Sequence, residues 1–220
     1  MKKNILPSLL SFKPDEWKKC INISKQFGIS EFHFDVMEYE YVKNTSFNQD
    51  EFKYFLTLGQ DIYLNVHLMV LNPREWIDKF LSNQTTCIYF HYEVMESIGD
   101  SIDLIKYIQS KNIDAGIVIN PNNNILEYKE LLPYIDSILV MGVYPGFGGQ
   151  EFIDSTIINL KDVFKFRKDN NLMFSIEFDG GLNFETTKKI YQWTDKFVMG
   201  SFYYKNINDV NKLLDWFKKL

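Results

Sequence analysis

Eight short β-rich runs alternate with eight helical patterns along the 220 residues. No low-complexity linker divides them, and no GxGxxG follows the first strand. Together these observations predict an α/β chain closed into a (β/α)8 TIM barrel rather than an open doubly wound sheet. Strand–helix alternation makes a parallel sheet covered by helices, and eight units are what closure needs. The same continuity predicts a single domain over residues 1–220.

The elements read in order. Residues 5–11 are the first strand. Residues 15–27 follow as a helix with Trp17, Cys20, Ile21 and Ser24 on one face, ended by Gly28. The second unit pairs strand 31–37 with helix 49–58, and the third pairs 61–70 with 73–81. The fourth joins 86–93 to 101–110, and the fifth joins 114–120 to 124–134. The last three units are 137–143 with 156–168, 173–179 with 186–193, and 196–200 with 208–220.

Composition narrows the function. The chain is 45% hydrophobic and 24% charged with a net charge of −5. An acidic protein of this kind offers no general surface to nucleic acid or anionic lipid, so any anion must be held locally. No apolar run approaches the roughly 18 residues of a membrane span. Lys2, Lys3 and the short apolar run 5–10 imitate a secretory leader, but Pro7 and the charged residues 13–16 interrupt it. Cys20 and Cys87 lie in unrelated segments without paired spacing, which predicts buried thiols and a cytoplasmic protein. The 19 Phe, 13 Tyr and 4 Trp read as core filling.

In such barrels the chemistry sits where the strands end. The second strand ends His33-Phe34-Asp35-Val36-Met37, the third Asn65-Val66-His67-Leu68-Met69, and the seventh Glu177-Phe178-Asp179-Gly180-Gly181. Side chains alternate along a strand, so His33, Asp35 and Met37 share one face, as do His67 and Met69. A lone His-x-Asp is common on strands, but two of the chain's three histidines stand at strand ends, each followed two residues later by Met. His33, Asp35, His67 and Asp179 then form a candidate set of ligands for a divalent metal. The third histidine, His91, is read as structural or supporting.

Three late loops carry glycine: Pro145-Gly146-Phe147-Gly148-Gly149-Gln150, Gly180-Gly181 and Gly200-Ser201. Glycine lets backbone N–H groups approach an anion closely, and barrel phosphate sites are often built from these late loops. A phosphorylated small molecule is the expected ligand.

These motifs resemble the ribulose-phosphate 3-epimerase family along almost the whole chain. The resemblance is carried by Leu6-Pro7-Ser8-Leu9-Leu10, the His33–Met37 and His67–Val70 stretches, Phe90-His91-Tyr92-Glu93, Met141 through Gln150, Glu177 through Gly181, and Gly200-Ser201. It implies a barrel of the ribulose-phosphate-binding type that interconverts D-ribulose 5-phosphate and D-xylulose 5-phosphate. It implies one divalent ion (zinc, iron, manganese or cobalt) on His33, Asp35, His67 and Asp179, with Asp35 and Asp179 as the acid–base pair. Ser8 and His67 would contact the sugar, and Gly146, Phe147, Gly148, Gly149, Gly180, Gly181, Gly200 and Ser201 would hold the phosphate. Met37, Met69 and Met141 would form an apolar shell, and the assembly would be a homo-oligomer, a dimer or a hexamer. Two groups on opposite faces of a planar cis-enediolate are what inversion next to a ketone requires, with a metal to hold the developing charge.

The chain departs from the family pattern in two places. The usual Asp-Gly and Phe-Val-Pro-Asn is here Glu38-Tyr39-Glu40-Tyr41-Val42-Lys43-Asn44, and Gly142 stands where Thr is commoner. A tyrosine in place of glycine predicts a different loop path, and Gly142 predicts a locally wider pocket. The altered loop leaves room for another ketose phosphate, such as D-allulose 6-phosphate, as the substrate. A non-catalytic sugar-phosphate binder would not need both aspartates. A metal-dependent hydrolase would need a bridging Lys and an early His-x-His that the sequence lacks.

Overall fold

The computed structural model describes residues 3–220; Met1 and Lys2, from the charged start read above, lie outside them. Eight parallel strands run β1 (Asn4–Pro7), β2 (Glu31–Met37), β3 (Tyr63–Met69), β4 (Thr85–His91), β5 (Asp114–Ile119), β6 (Ser137–Met141), β7 (Ser175–Asp179) and β8 (Lys196–Met199). The sheet order β1-β8-β7-β6-β5-β4-β3-β2 is that of a (β/α)8 barrel. Its seam is narrow, with β1 and β2 meeting in a parallel bridge between Ser8 and His33.

Strand alternation sorts the apolar residues into two cores. Phe32, Phe34, Val36, Val66 and Leu68 point outward and pack under the helices. Leu6, Cys87, Tyr89, Val118, Leu139, Met141, Val143 and Val198 fill the barrel itself. Only part of the aromatic excess fills the core, since Tyr39, Tyr144 and Phe147, among others, are exposed. Trp17, by contrast, is wholly buried and meets Phe34, Phe47 and Phe55 edge-on. Cys20 and Cys87 are both buried and unpaired.

Helix ends follow their capping residues more closely than the apolar periodicity did. The helix expected from 101 begins earlier, as Ile98–Gln109, because Ser97 accepts from the Asp100 N–H. The helix expected from 186 is Phe184–Ile190, since Asn183 accepts from the Glu185 and Thr186 amides. The helix expected over 124–134 is regular only at Ile125–Tyr128, before Pro133. The first strand stops at Pro7, where Ser8 Oγ caps the following turn by accepting from Leu10 N at 3.3 Å. The loop after β2 holds an additional short helix, Tyr39–Val42, ahead of Gln49–Leu56.

The two departures from the family pattern come out differently here. Tyr39 is not strained: it opens that short helix, and the left-handed residue of the loop is Lys43 at φ 54°. The loop makes its turn at Lys43 and places no glycine-only conformation on Tyr39. Gly142 does not widen the pocket. A Cβ there would lie 2.4 Å from the Phe178 ring and 2.5 Å from the Gly180 carbonyl oxygen, so neighbouring atoms already occupy the space. Its N–H donates to the Asp179 carbonyl at 2.6 Å, locking the end of β6 onto β7.

Gly142→Thr is accordingly expected to destabilise the fold by about 1–3 kcal/mol through overpacking. Urea unfolding checks this, and an unchanged midpoint would mean that the Phe178 ring moves aside without cost.

Candidate functional site

The register of the sheet builds the mouth of the barrel. Asp35 pairs with His67 and Met37 with Met69 across β2 and β3, while Met141 pairs with Asp179 across β6 and β7. Inward-pointing side chains on adjacent strands at the same level are neighbours in space. Hence His33, Asp35, His67 and Asp179 each bring a ligand atom into one group whose members all lie within 4.8 Å of one another.

Asp35 is the centre of the group. Its Oδ1 lies 3.2 Å from His67 Nδ1 and 3.3 Å from His33 Nε2, and its Oδ2 accepts from Ser8 Oγ at 2.9 Å. His33 Nε2 is also 3.8 Å from Asp179 Oδ2. Burial alone would raise the Asp35 pKa, but His33 and His67 overcome it and hold the carboxyl well below the usual range. Asp179 shares the burial with weaker compensation. Desolvation, together with the Asp35 and Glu177 charges, pushes it up to about 7. Two carboxyls beside one histidine thus have opposite proton affinities. Burial pulls His67 down to about 4, whereas Asp35, Glu177 and Asp179 outweigh burial at His33 and raise it.

The donor set fits a divalent cation. Two imidazoles and two carboxylates suit a borderline transition ion, and His33 Nε2 is buried without a hydrogen-bond partner, facing the aspartates. Its other nitrogen, Nδ1, donates to Glu177 Oε1 at 3.1 Å, which leaves the Nε2 lone pair for the group when the ring is neutral.

Three of the four side chains, Asp35, His67 and Asp179, line a cavity of about 480 Å³. Ser8, Asp35, His67 and Asp179 line its floor, with Met37, Met69 and Met141 around them. Gly146, Phe147, Gly148, Gly149, Gly180, Gly181, Gly200 and Ser201 line the same cavity. His33 lies beneath, fully buried. Gly181 shows why one loop needs its glycine. Its φ is +69°, and a Cβ would sit 2.5 Å from Phe152 Cα.

Several residues at the site escaped the sequence reading. Glu177, fully buried, accepts from Asn65 Nδ2 and Tyr89 O–H at 2.9 Å each, besides His33. Its spacing of two from Asp179 was a usable signal, since it puts a second carboxylate on the inward face. Ser46 Oγ donates to the Asp35 carbonyl at 2.6 Å and accepts from Met37 N at 2.9 Å, closing the loop over the end of β2. Asn44 donates to the Gly146 carbonyl at 2.6 Å and so links the loops after β2 and β6. Nothing in the spacing of Asn44 or Ser46 announces these contacts.

Comparison with known proteins agrees with this arrangement. The Ribulose-phosphate 3 epimerase family matches over residues 4–204. The ribulose-phosphate 3-epimerase of Aquifex aeolicus is 31% identical over 204 residues, covering 90% of this chain and 88% of that protein. That of Mycobacterium bovis is 31% identical over 178 residues, covering 80% of this chain and 76% of that protein. That of Buchnera aphidicola is 33% identical over 184 residues, covering 82% and 79%. Among solved structures, a variant tryptophan synthase alpha-subunit from Pyrococcus furiosus aligns with a TM-score of 0.68 at 11% identity, covering 95% of this chain and 92% of that one. A likeness that distant speaks for the barrel alone. The sequence match, in contrast, runs through the residues that converge at the mouth of the barrel, and the chain belongs to the ribulose-phosphate 3-epimerase family and is an epimerase.

Proposed function

We propose that the protein interconverts D-ribulose 5-phosphate and D-xylulose 5-phosphate by proton transfer at C3, with Asp35 and Asp179 as the acid–base pair. The observation that carries this is the convergence of two carboxyls, Asp35 and Asp179, with His33 and His67 at one cavity that the glycine-rich loops also line. Epimerisation takes a proton from one face of C3 and returns one to the other, so it needs an acceptor and a donor flanking a planar enediolate. In each direction one aspartate removes the C3 proton while the other, protonated, supplies the new one. The Ser8 hydroxyl, bonded to Asp35 Oδ2, holds that carboxylate in place.

His33, Asp35, His67 and Asp179 would hold one divalent ion: zinc, iron, manganese or cobalt. Such an ion supplies, when bound, positive charge beside the ketone oxygen, which acidifies C3–H. Met37, Met69 and Met141 exclude water from the reacting carbon. Backbone N–H groups of Gly146, Phe147, Gly148, Gly149, Gly180, Gly181, Gly200 and Ser201 would hold the phosphate, the side-chain-free approach an acidic protein needs. The same reading includes a single domain over 1–220, a cytoplasmic setting, and a homo-oligomer, either dimer or hexamer. No helix among the described residues is long and apolar enough to cross a membrane.

Incubating D-ribulose 5-phosphate with the protein in D2O is expected to yield xylulose 5-phosphate carrying deuterium at C3, and chelation is expected to stop it. NMR reads both products. Exchange confined to a six-carbon ketose phosphate would move the assignment to that substrate. Asp35→Asn and Asp179→Asn are each expected to lower kcat by about 10²–10⁴-fold, the usual weight of a positioned acid or base. Near-normal turnover in either variant would remove the two-aspartate mechanism. Light scattering after size exclusion should return a mass of two or six chains.

A further inference from the structure

The loop after β6 has its carbonyls occupied and its amides free. Asn44 Nδ2, from the loop after β2, donates to the Gly146 carbonyl at 2.6 Å. Gln150 Nε2 donates to the Tyr144 carbonyl at 2.7 Å and to the Phe147 carbonyl at 2.8 Å. Two side-chain amides thus hold the carbonyls of Tyr144, Gly146 and Phe147. Among the described residues, no backbone carbonyl accepts from the N–H groups of Phe147, Gly148 or Gly149.

Peptide geometry connects these two facts. A trans peptide is planar, so its C=O and its N–H point in opposite directions. Holding the Gly146 carbonyl toward Asn44 turns the Phe147 N–H away from Asn44. Holding the Phe147 carbonyl toward Gln150 directs the Gly148 N–H in the same manner. The Tyr144 carbonyl precedes Pro145, which has no N–H, and its bond ties the start of the loop to its end. Gly146 makes the approach of Asn44 possible. Its φ is +120°, and a Cβ there would lie 3.1 Å from both Cβ and O of Val42, so the two loops meet with no side chain between them. Gly146, Phe147 and Gly148 line the cavity, whereas Asn44 is not among its lining residues. A carbonyl turned toward a bound anion would repel it, and an N–H attracts it.

We propose that Asn44 and Gln150 are positioning residues for the substrate's phosphate: by binding the carbonyls of the loop after β6, they turn the Phe147 and Gly148 N–H groups toward the anion. The proposal rests on the reading of that loop as a phosphate site. It makes phosphate affinity depend on Asn44, a residue of a different loop that does not line the cavity.

The test is the dissociation constant of inorganic phosphate for the full chain, measured by isothermal titration calorimetry, beside KM and kcat on D-ribulose 5-phosphate. Asn44→Ala removes one donor. Gln150→Met removes two bonds and keeps the length of the side chain. Each bond lost is expected to weaken phosphate binding and raise KM about two- to tenfold, with kcat within about twofold of the parent and the near-UV circular dichroism of the fold retained. Phosphate affinity and KM within about twofold of the parent in both variants overturn the proposal, as does a loss carried by kcat with KM unchanged. A parent chain that binds inorganic phosphate but does not turn over D-ribulose 5-phosphate removes the substrate assignment alone, and the phosphate affinities of the two variants still decide the role of Asn44 and Gln150. A parent chain that binds no phosphate removes the phosphate reading and this proposal with it.

Discussion

The Glu177 carboxylate lies inside the barrel with no exposure to water, and much of the polar interior is arranged to satisfy it. Three donors converge on its two oxygens: His33 Nδ1, Asn65 Nδ2 and Tyr89 O–H. A buried charge stripped of a partner costs about 3–5 kcal/mol, so each donor is held where Glu177 needs it. Asn65 is pinned further by Thr86, whose hydroxyl donates to Asn65 Oδ1 at 2.5 Å. The consequence reaches the mouth, because satisfying Glu177 orients the His33 ring and aims Nε2 at the aspartates. A requirement of folding and a requirement of the site are met by one hydrogen bond.

Above that level the barrel changes character. Leu6, Val118, Leu139 and Val198 pack together inside the barrel. At the mouth the same inward positions carry His67, Asp35 and Asp179, flanked by methionines. Asp35 and Asp179 are close, yet their environments differ in one respect. Asp35 faces two histidines and the Ser8 hydroxyl, whereas Asp179 faces His33 at longer range and two other carboxylates. That asymmetry separates their proton affinities. It arises because β2 and β3 are neighbours, each bringing a histidine, while β7 brings two acids.

The loops over the mouth are joined to one another by side-chain hydrogen bonds. Asn44 reaches Gly146, Tyr41 reaches Glu93, and Glu38 Oε2 accepts from Leu71 N at 2.8 Å. The departure from the family pattern in 38–44 is therefore accommodated locally. Lys43 takes the left-handed conformation, and each polar side chain named here finds a partner on an adjacent loop. Gly142 belongs with this set in reverse, as its missing side chain makes room for Phe178 and the Gly180 carbonyl, not for a ligand.

What the sequence alone determined is what depends on periodicity and local chemistry. Period-two alternation at His33-x-Asp35-x-Met37 and His67-x-Met69 is a property of any strand, so these side chains were legible as one inward set before any contact was known. The order of strands and helices, and hence the barrel, followed from the same patterns. Helix boundaries slipped where a cap such as Ser97 or Asn183 outranked the apolar spacing, and residues 129–134 lost their helix ahead of Pro133. The tertiary structure decided what depends on register and on residues far apart in the chain. Asp35 and His67 are 32 positions apart and Asp35 and Glu177 farther still; only the hydrogen-bonded alignment of β2 with β3, and closure of the sheet, sets their distances. Glu93, Ser46, Asn44 and the absent volume at Gly142 are of this second kind. Their roles come from which atoms fill the neighbouring space, and no spacing within a single strand or loop carries that information.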